Sequence, residues 1–288
     1  MKTTLLNNGV QMPLLGYGVF QITPQDCERC VREALEVGYR SIDTAQAYYN
    51  EEAVGRAIKA SHIDREELFI TTKVWISNAG EEKAAQSIDE SLKKLQTDYI
   101  DLLLIHQPFG DYYGTYRAMQ KAYESGKVRA IGLSNFYDDR FVDLAENMNI
   151  KPAVLQLETH VFTQQQKMRA LAKDYGTKIM AWAPLAEGQN NFFKNETLAE
   201  IGKRYGKTVA QVALNFLTTE DIIVIPKSVH RERMAENFAI DDFKLTEEEL
   251  ERIRALDTGH RLIATDFTAP EFVKFLLNYD KQFAPRKD

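Results

Sequence analysis

Short apolar runs alternate along this chain with longer stretches in which apolar residues recur every third or fourth position. Eight runs read as strands: LLGYG (14–18), YRSID (39–43), LFITTK (68–73), YIDLLLIH (99–106), VRAIGLSN (128–135), AVLQ (153–156), KIMAW (178–182) and IIVIPK (222–227). YIDLLLIH is almost unbroken in apolar residues, as expected of a strand buried on both faces in a parallel sheet. Between the runs, NEEAVGRAIKA, EEKAAQSIDESLKKLQ and TQQQKMRALAKDYG each set an apolar stripe opposite a charged face, the pattern of a helix packed on such a sheet. TPQDCERCVREALEVG adds a helix's punctuation, with Thr23 as N-cap, Pro24 as first helical residue and Gly38 as terminator. Ahead of these, LNNGVQM places an Asn-Gly turn between apolar segments and predicts a hairpin over residues 3–14.

The strand ends fall near 18, 43, 73, 106, 134, 156, 182 and 227, in steps of 22 to 33 residues with a last step of 45. A strand and its helix take about 30 residues. Only the last step has room for extra helix, which LAEIGKRYG and TVAQVALNFLTT fill. The fold expected is therefore α/β, an eight-stranded parallel (β/α)8 TIM barrel preceded by a β-hairpin. A doubly wound open sheet is the rival topology, but it usually carries a GxGxxG phosphate turn after an early strand, and this chain has none. No linker or compositional shift marks a boundary, so residues 1–288 read as one domain.

Composition narrows the function. At 44% hydrophobic and 27% charged residues, the chain can bury a large core and is not a disordered sequence. A net charge of −6 argues against a nucleic-acid partner, which needs a concentrated basic surface. No run of about 18 apolar residues predicts a membrane span, and the opening MKTTLLNNGVQM lacks the apolar core of a secretory signal, so a cytoplasmic protein is expected. Cys27 and Cys30 form a CxxC inside a predicted helix with no second ligand pair, so they read as ordinary helix residues.

In a barrel all strands open their carboxyl ends on one face, where loops build the site. Those ends here carry Asp43, Lys73, His106, Ser134 with Asn135, Gln156, Trp182 and Lys227. Any one of them reads as a solvated or paired rim residue. Together they form a constellation that a purely structural barrel does not need.

The stretches GYRSIDTAQAYYNEEAVGRAI, LFITTKVW, YIDLLLIHQP, IGLSNF and IPKSVHRERMAENF closely resemble, in order and spacing, the motifs of the aldo-keto reductase family, over residues from about 5 to 258. The resemblance implies the same barrel, NADP(H) as cofactor and reduction of a small carbonyl substrate to an alcohol. It assigns Asp43, Tyr48, Lys73 and His106 to the catalytic tetrad. Hydride reaching a carbonyl carbon builds negative charge on oxygen, so a proton donor must stand ready. Tyr48 is read as that acid, with Lys73 expected to lower its pKa and Asp43 expected to keep Lys73 charged, while His106 orients the substrate oxygen. Tyr49 adjoins Tyr48, and from the residues alone either phenol could serve. The family spacing places the role on Tyr48.

By the same resemblance, Ser134, Asn135 and Gln156 hold the nicotinamide carboxamide and Trp182 stacks on the ring. Amide and hydroxyl groups suit a carboxamide, and an indole face suits a flat heterocycle. Lys227, Ser228 and Arg233 match the 2'-phosphate site, Glu236 and Asn237 lie near the adenine, and Gly18 and Val19 approach the cofactor from the first loop. Phe20, Trp75 and Gln107 line the substrate pocket.

Three positions depart from the common pattern: Gln107 stands where many members carry tryptophan, Leu155 replaces an asparagine, and Val161 replaces a proline. The tail from Gly259 falls outside the strong motifs and carries Phe267, Phe272, Phe275 and Leu276, with EFVKFLLNY helical in pattern. In the family the carboxyl-terminal loop covers the substrate. The motifs need no partner chain to complete the site, so a monomer is expected. Two other readings stand beside the enzyme: a cofactor-binding or regulatory barrel with little turnover, and a metal-dependent hydrolase. The second is disfavoured because, of five histidines, only His106 lies at a predicted strand end, so no metal site is expected.

Overall fold

The first two strands, β1 (Thr3–Leu5) and β2 (Gln11–Pro13), pair antiparallel as the Asn-Gly turn predicts. The computed structural model describes residues 2–262, 266 and 268–284. Asn7 and Asn8 donate their amides to the carbonyls of Pro152 and Arg129, at 3.0 and 2.9 Å, so the hairpin closes the amino end of the strands that follow.

Strand and helix then alternate: β3 (Tyr17–Gly18), α1 (Pro24–Val37), β4 (Ser41–Asp43), α2 (Glu51–Ser61), β5 (Phe69–Val74), α3 (Glu81–Leu95), β6 (Ile100–Ile105) and α4 (Tyr112–Glu124). The second half adds β7 (Val128–Ser134), α5 (Asp138–Asn147), β8 (Val154–Glu158), α6 (Gln166–Lys173), β9 (Lys178–Trp182), α7 (Glu196–Tyr205), α8 (Val209–Thr219) and β10 (Ile223–Val224). Four helices complete the described chain: α9 (Arg231–Phe238), α10 (Glu247–Arg254), α11 (Pro270–Leu277) and α12 (Tyr279–Phe283). Phe267 lies outside the described residues.

From β3 to β10 each strand pairs in parallel with the next. The sheet's two edges then meet, with Gly16 N donating to Val224 O and Val224 N to Leu14 O, both at 2.8 Å. The barrel expected from the spacing is the fold observed. A methyl group on Gly18 would stand 2.9 Å from the Ile225 carbonyl, so only glycine allows this close approach at the seam.

The near-continuous apolar run of β6 is explained by burial on both sides. Leu102 and Leu104 pack inside the barrel with Met12, Phe69 and Met180, while Leu103 and Ile105 pack outward under the helices. Each fully buried leucine contributes about 1.5–3 kcal/mol relative to exposure. Helix α1 is capped as its sequence predicts, Thr23 accepting from Asp26 N and Gly38 adopting φ 125°. Cys27 and Cys30 are free and face the core, and burial pushes the Cys27 thiol up to about 12, which keeps it from acting as a thiolate nucleophile.

Several boundaries differ from the sequence reading, among them β3 and β4, which are two and three residues long rather than five. Strand β10 is two residues long rather than six, and Pro226 beyond it has no N–H to continue the ladder. Helix α6 starts at Gln166 because Gln165 is left-handed, at φ 54°, and the Gln164 amide is spent on the carbonyls of Val161, Ile253 and Arg254. Strand β8 runs past Gln156 to a fully buried Glu158.

Candidate active site

Because β4 to β9 are parallel and close in register, the residues at their carboxyl ends arrive on one rim. Asp43, Lys73 and Ser134 come at or next to strand ends, His106 directly follows β6, and Gln156 stands opposite Ser134 in the ladder. Tyr48 is delivered by a single 3-10 turn, Gln46–Tyr48, after β4. That turn is held by side chains the sequence reading passed over. Gln46 Oε1 accepts from Trp75 N and Asn78 Nδ2, both at 2.9 Å, and Asn50 donates to Val19 O while accepting from Thr44 Oγ1 at 2.7 Å. Their only trace in the sequence is an amide on either side of the tyrosine pair.

Lys73 Nζ donates to Asp43 Oδ1 at 2.5 Å, to Thr44 O at 2.9 Å and to Tyr48 Oη at 3.4 Å. Three acceptors match the three N–H groups of an ammonium. Gln156 Nε2 donates to the other carboxylate oxygen of Asp43 at 2.9 Å. Burial draws Lys73 below its ordinary value and raises Asp43 above its own, each opposed by the partner's charge.

Tyr48 departs from expectation. Burial first, and then the Asp43 carboxylate and Tyr279, push its phenol well above the ordinary value. Lys73 does not reverse this. Its charge is already offset by Asp43, and a phenolate among these packed neighbours would lose much of its hydration. His106 is pushed well below its ordinary value by burial and then by Lys73, so it stands as a neutral imidazole. Its ring packs edge-on against Tyr48 at 5.5 Å and Trp75 at 5.0 Å, and its buried Nδ1 has no hydrogen-bond partner among the described residues.

The remaining rim residues are distributed in two groups. Asn135, at φ 63°, donates to Ser134 Oγ at 3.1 Å and accepts from Trp182 Nε1 at 3.0 Å, which fixes the indole plane. Val19 is buried, and Phe20 is exposed with its ring 5.0 Å from that of Tyr48. Trp75 is buried, and Gln107 keeps a buried Oε1 without a hydrogen-bond partner among the described residues. Farther round the rim, Lys227 and Arg233 are exposed on either side of the α9 amino end, with no ion-pair partner among the described residues, whereas Arg231 pairs with Glu36. Ser228 is buried and its Oγ accepts from His230 N at 3.1 Å, Glu236 accepts from Thr208 at 2.8 Å, and Asn237 is buried. Tyr49 is placed apart from Lys73, giving its phenol to Asp280 at 2.6 Å.

The family model described as the aldo/keto reductase family matches residues 14–258. The chain belongs to that family. This aldo-keto reductase is 44% identical over 262 residues to glyoxal reductase of Bacillus subtilis (strain 168), covering 90% of this chain and 94% of that protein. The crystal structure of MGS-M4, an aldo-keto reductase from a Medee basin deep-sea metagenome library, superposes with a TM-score of 0.90 at 45% identity, over 92% of this chain and 98% of that one. A Bombyx mori aldo-keto reductase solved in complex with NADP superposes at 0.86 with 32% identity, over 98% of this chain and 97% of that one. Among the described residues of this reductase, no group of three His, Cys, Asp or Glu side chains could hold a metal ion, and no helix is long and apolar enough to cross a membrane.

Proposed function

We propose that this chain reduces aldehydes or ketones to alcohols, with NADPH as the hydride source and Tyr48 as the proton donor. The observation that carries the reading is a partly buried phenol held by an ammonium that a buried carboxylate pins in place. The residues fit a phosphorylated nicotinamide dinucleotide. Ser134, Asn135 and Gln156 offer hydroxyl and amide groups for a carboxamide, Trp182 offers a fixed indole face, and Lys227 and Arg233 are exposed cations for a phosphate. Bound there, the dinucleotide would supply hydride to the carbonyl carbon.

The chain's own groups do the rest. His106, as a neutral imidazole, has one N–H with which to orient the carbonyl oxygen. Tyr48 accepts a hydrogen bond from Lys73, which leaves its own proton free to be given to that oxygen. A developing alkoxide is far more basic than a phenolate, so transfer does not require a lowered Tyr48 pKa. The ammonium acts afterwards, on the tyrosinate left behind. Turnover of NADPH with a panel of aldehydes, ketones and keto sugars tests the reading, and a chain that binds NADPH but consumes none would be a binder instead.

The directions of the two shifts set the pH profile. His106 takes up a proton only below its ordinary 6.5, and Tyr48 loses one only above its ordinary 10.0. The kcat/KM for carbonyl reduction is therefore expected to stay flat from about pH 6.5 to about pH 9. A decline centred near pH 8 would show that Tyr48 is lowered after all. At the far end of the site, Arg233→Ala is expected to raise KM for NADPH by roughly 10- to 100-fold, as for the loss of a charge-assisted bond, with little change for NADH. Equal losses for both dinucleotides would remove Arg233 from the 2'-phosphate.

A further inference from the structure

We propose that Asp280 is a positioning residue: the carboxyl-terminal helices latch onto the loops that bear Tyr48 and His106 and hold both side chains in their working orientations. The proposal rests on the carbonyl-reductase reading above and concerns a segment beyond the family match, which ends at residue 258.

The tail is rooted on the same rim as the site. Thr258 N donates to Phe162 O at 3.0 Å, Leu262 N to the buried Glu158 carboxylate at 2.6 Å, and Thr163 Oγ1 to His260 O at 2.6 Å. Helix α11 then seats Leu276 in an apolar cluster with Ala47, Trp75 and Phe109, against which Phe272, Val273 and Tyr279 also pack. Leu276 is the only buried residue of α11 and α12, so these helices hold on through few contacts. Two of those contacts reach the candidate catalytic groups.

The first is the hydrogen bond from the Tyr49 phenol to Asp280 Oδ1 at 2.6 Å. Tyr49 follows Tyr48 directly and adopts φ 56°, a costly left-handed conformation for a tyrosine that must be held by its surroundings. Restraint on the Tyr49 ring therefore passes to Tyr48 through a single peptide. The second contact is a relay of rings. Tyr279 meets Trp75 edge-on at 5.3 Å, Trp75 meets His106 at 5.0 Å, and His106 meets Tyr48 at 5.5 Å. A functional histidine is ordinarily oriented by a hydrogen bond to its second nitrogen. His106 Nδ1 has no such partner among the described residues, so ring packing sets the imidazole plane, and the tail supplies the outer wall of that packing.

The test compares Asp280→Ala, Asp280→Asn, Tyr49→Phe and the Tyr49→Phe/Asp280→Ala pair in NADPH-dependent carbonyl reduction. Displacement of reacting groups by about an ångström can cost as much as 100-fold in rate, so Asp280→Ala and Tyr49→Phe are each expected to lower kcat roughly 10-fold or more, with NADPH affinity unchanged. Asp280→Asn should restore most of the rate, because its amide oxygen still accepts the phenol proton. The double variant should be no slower than either single one, the signature of one shared bond. An unchanged kcat in Asp280→Ala, an Asn variant as slow as the Ala variant, or multiplying losses in the pair would each overturn the latch. If the unaltered protein consumes no NADPH with any carbonyl, the activity reading fails on its own, and hydrogen exchange over residues 270–283 decides instead. Protection lost in Asp280→Ala and Tyr49→Phe but kept in Asp280→Asn supports the latch, and equal protection in all forms overturns it.

Discussion

Tyr48→Phe is expected to lower kcat for carbonyl reduction by roughly 100- to 10,000-fold, the usual worth of a positioned general acid. The phenyl ring can stay in its place between Phe20 and His106, so the packing survives while the proton is lost. NADPH binding should hardly change, which separates this variant from a misfolded one. A rate within a few fold of the unaltered protein would remove Tyr48 from the chemistry. The Tyr49→Phe variant sharpens the comparison, since the Tyr49 phenol is engaged by Asp280 and stands apart from Lys73, so its loss should cost far less.

Lys73→Met should be damaging in a different way, because it removes the ammonium while leaving Asp43 buried with a single amide donor from Gln156. Breaking a buried pair by deleting one partner costs about 3–5 kcal/mol. Tm should fall by roughly 10 °C for a domain of this size, and carbonyl reduction should fall as well. The deficit has a defined pH dependence. With its cation gone, Asp43 keeps a folded-state pKa above its unfolded 3.8, and a group raised on folding favours the folded state at low pH and loses that contribution as pH rises through its folded value. The variant should therefore lie closer to the unaltered protein near pH 5 than near pH 8. Adding Asp43→Asn to Lys73→Met should recover much of the lost stability without recovering activity. Recovery of neither, or a pH-independent deficit, would show that the pair is not what the substitution breaks.

Much of this architecture was legible in the chain. The spacing of apolar runs implied a barrel, Thr23, Pro24 and Gly38 marked the ends of α1, and a doubly buried strand explains why YIDLLLIH contains so few polar residues. The rim residues are the side chains that end strands, which local patterns suffice to place. Other features left a weaker trace. Gln46 and Asn50 are unremarkable amides until Trp75, Asn78, Val19 and Thr44 are seen around them. The short β10 and late α6 follow from Pro226 and from the carbonyls that Gln164 reaches, two of which lie 89 and 90 residues away.

The direction of the Tyr48 shift shows where local reading ends. A lysine in the same motif set suggests a lowered phenol, but desolvation sums over every neighbour, and the nearest carboxylate already offsets that lysine. The choice between Tyr48 and Tyr49 is of the same kind. Spacing shared with a family favours the first, whereas in the structure the separation follows from Lys73 lying at one phenol and Asp280, some 230 residues onward, at the other. Sequence by itself determined the order of strands and helices, and with them the set of reactive side chains gathered at one end of the barrel, because periodicity and capping act between near neighbours. Tertiary structure alone decided which groups touch, which remain protonated and what the tail grips, because these depend on packing between residues far apart in the chain.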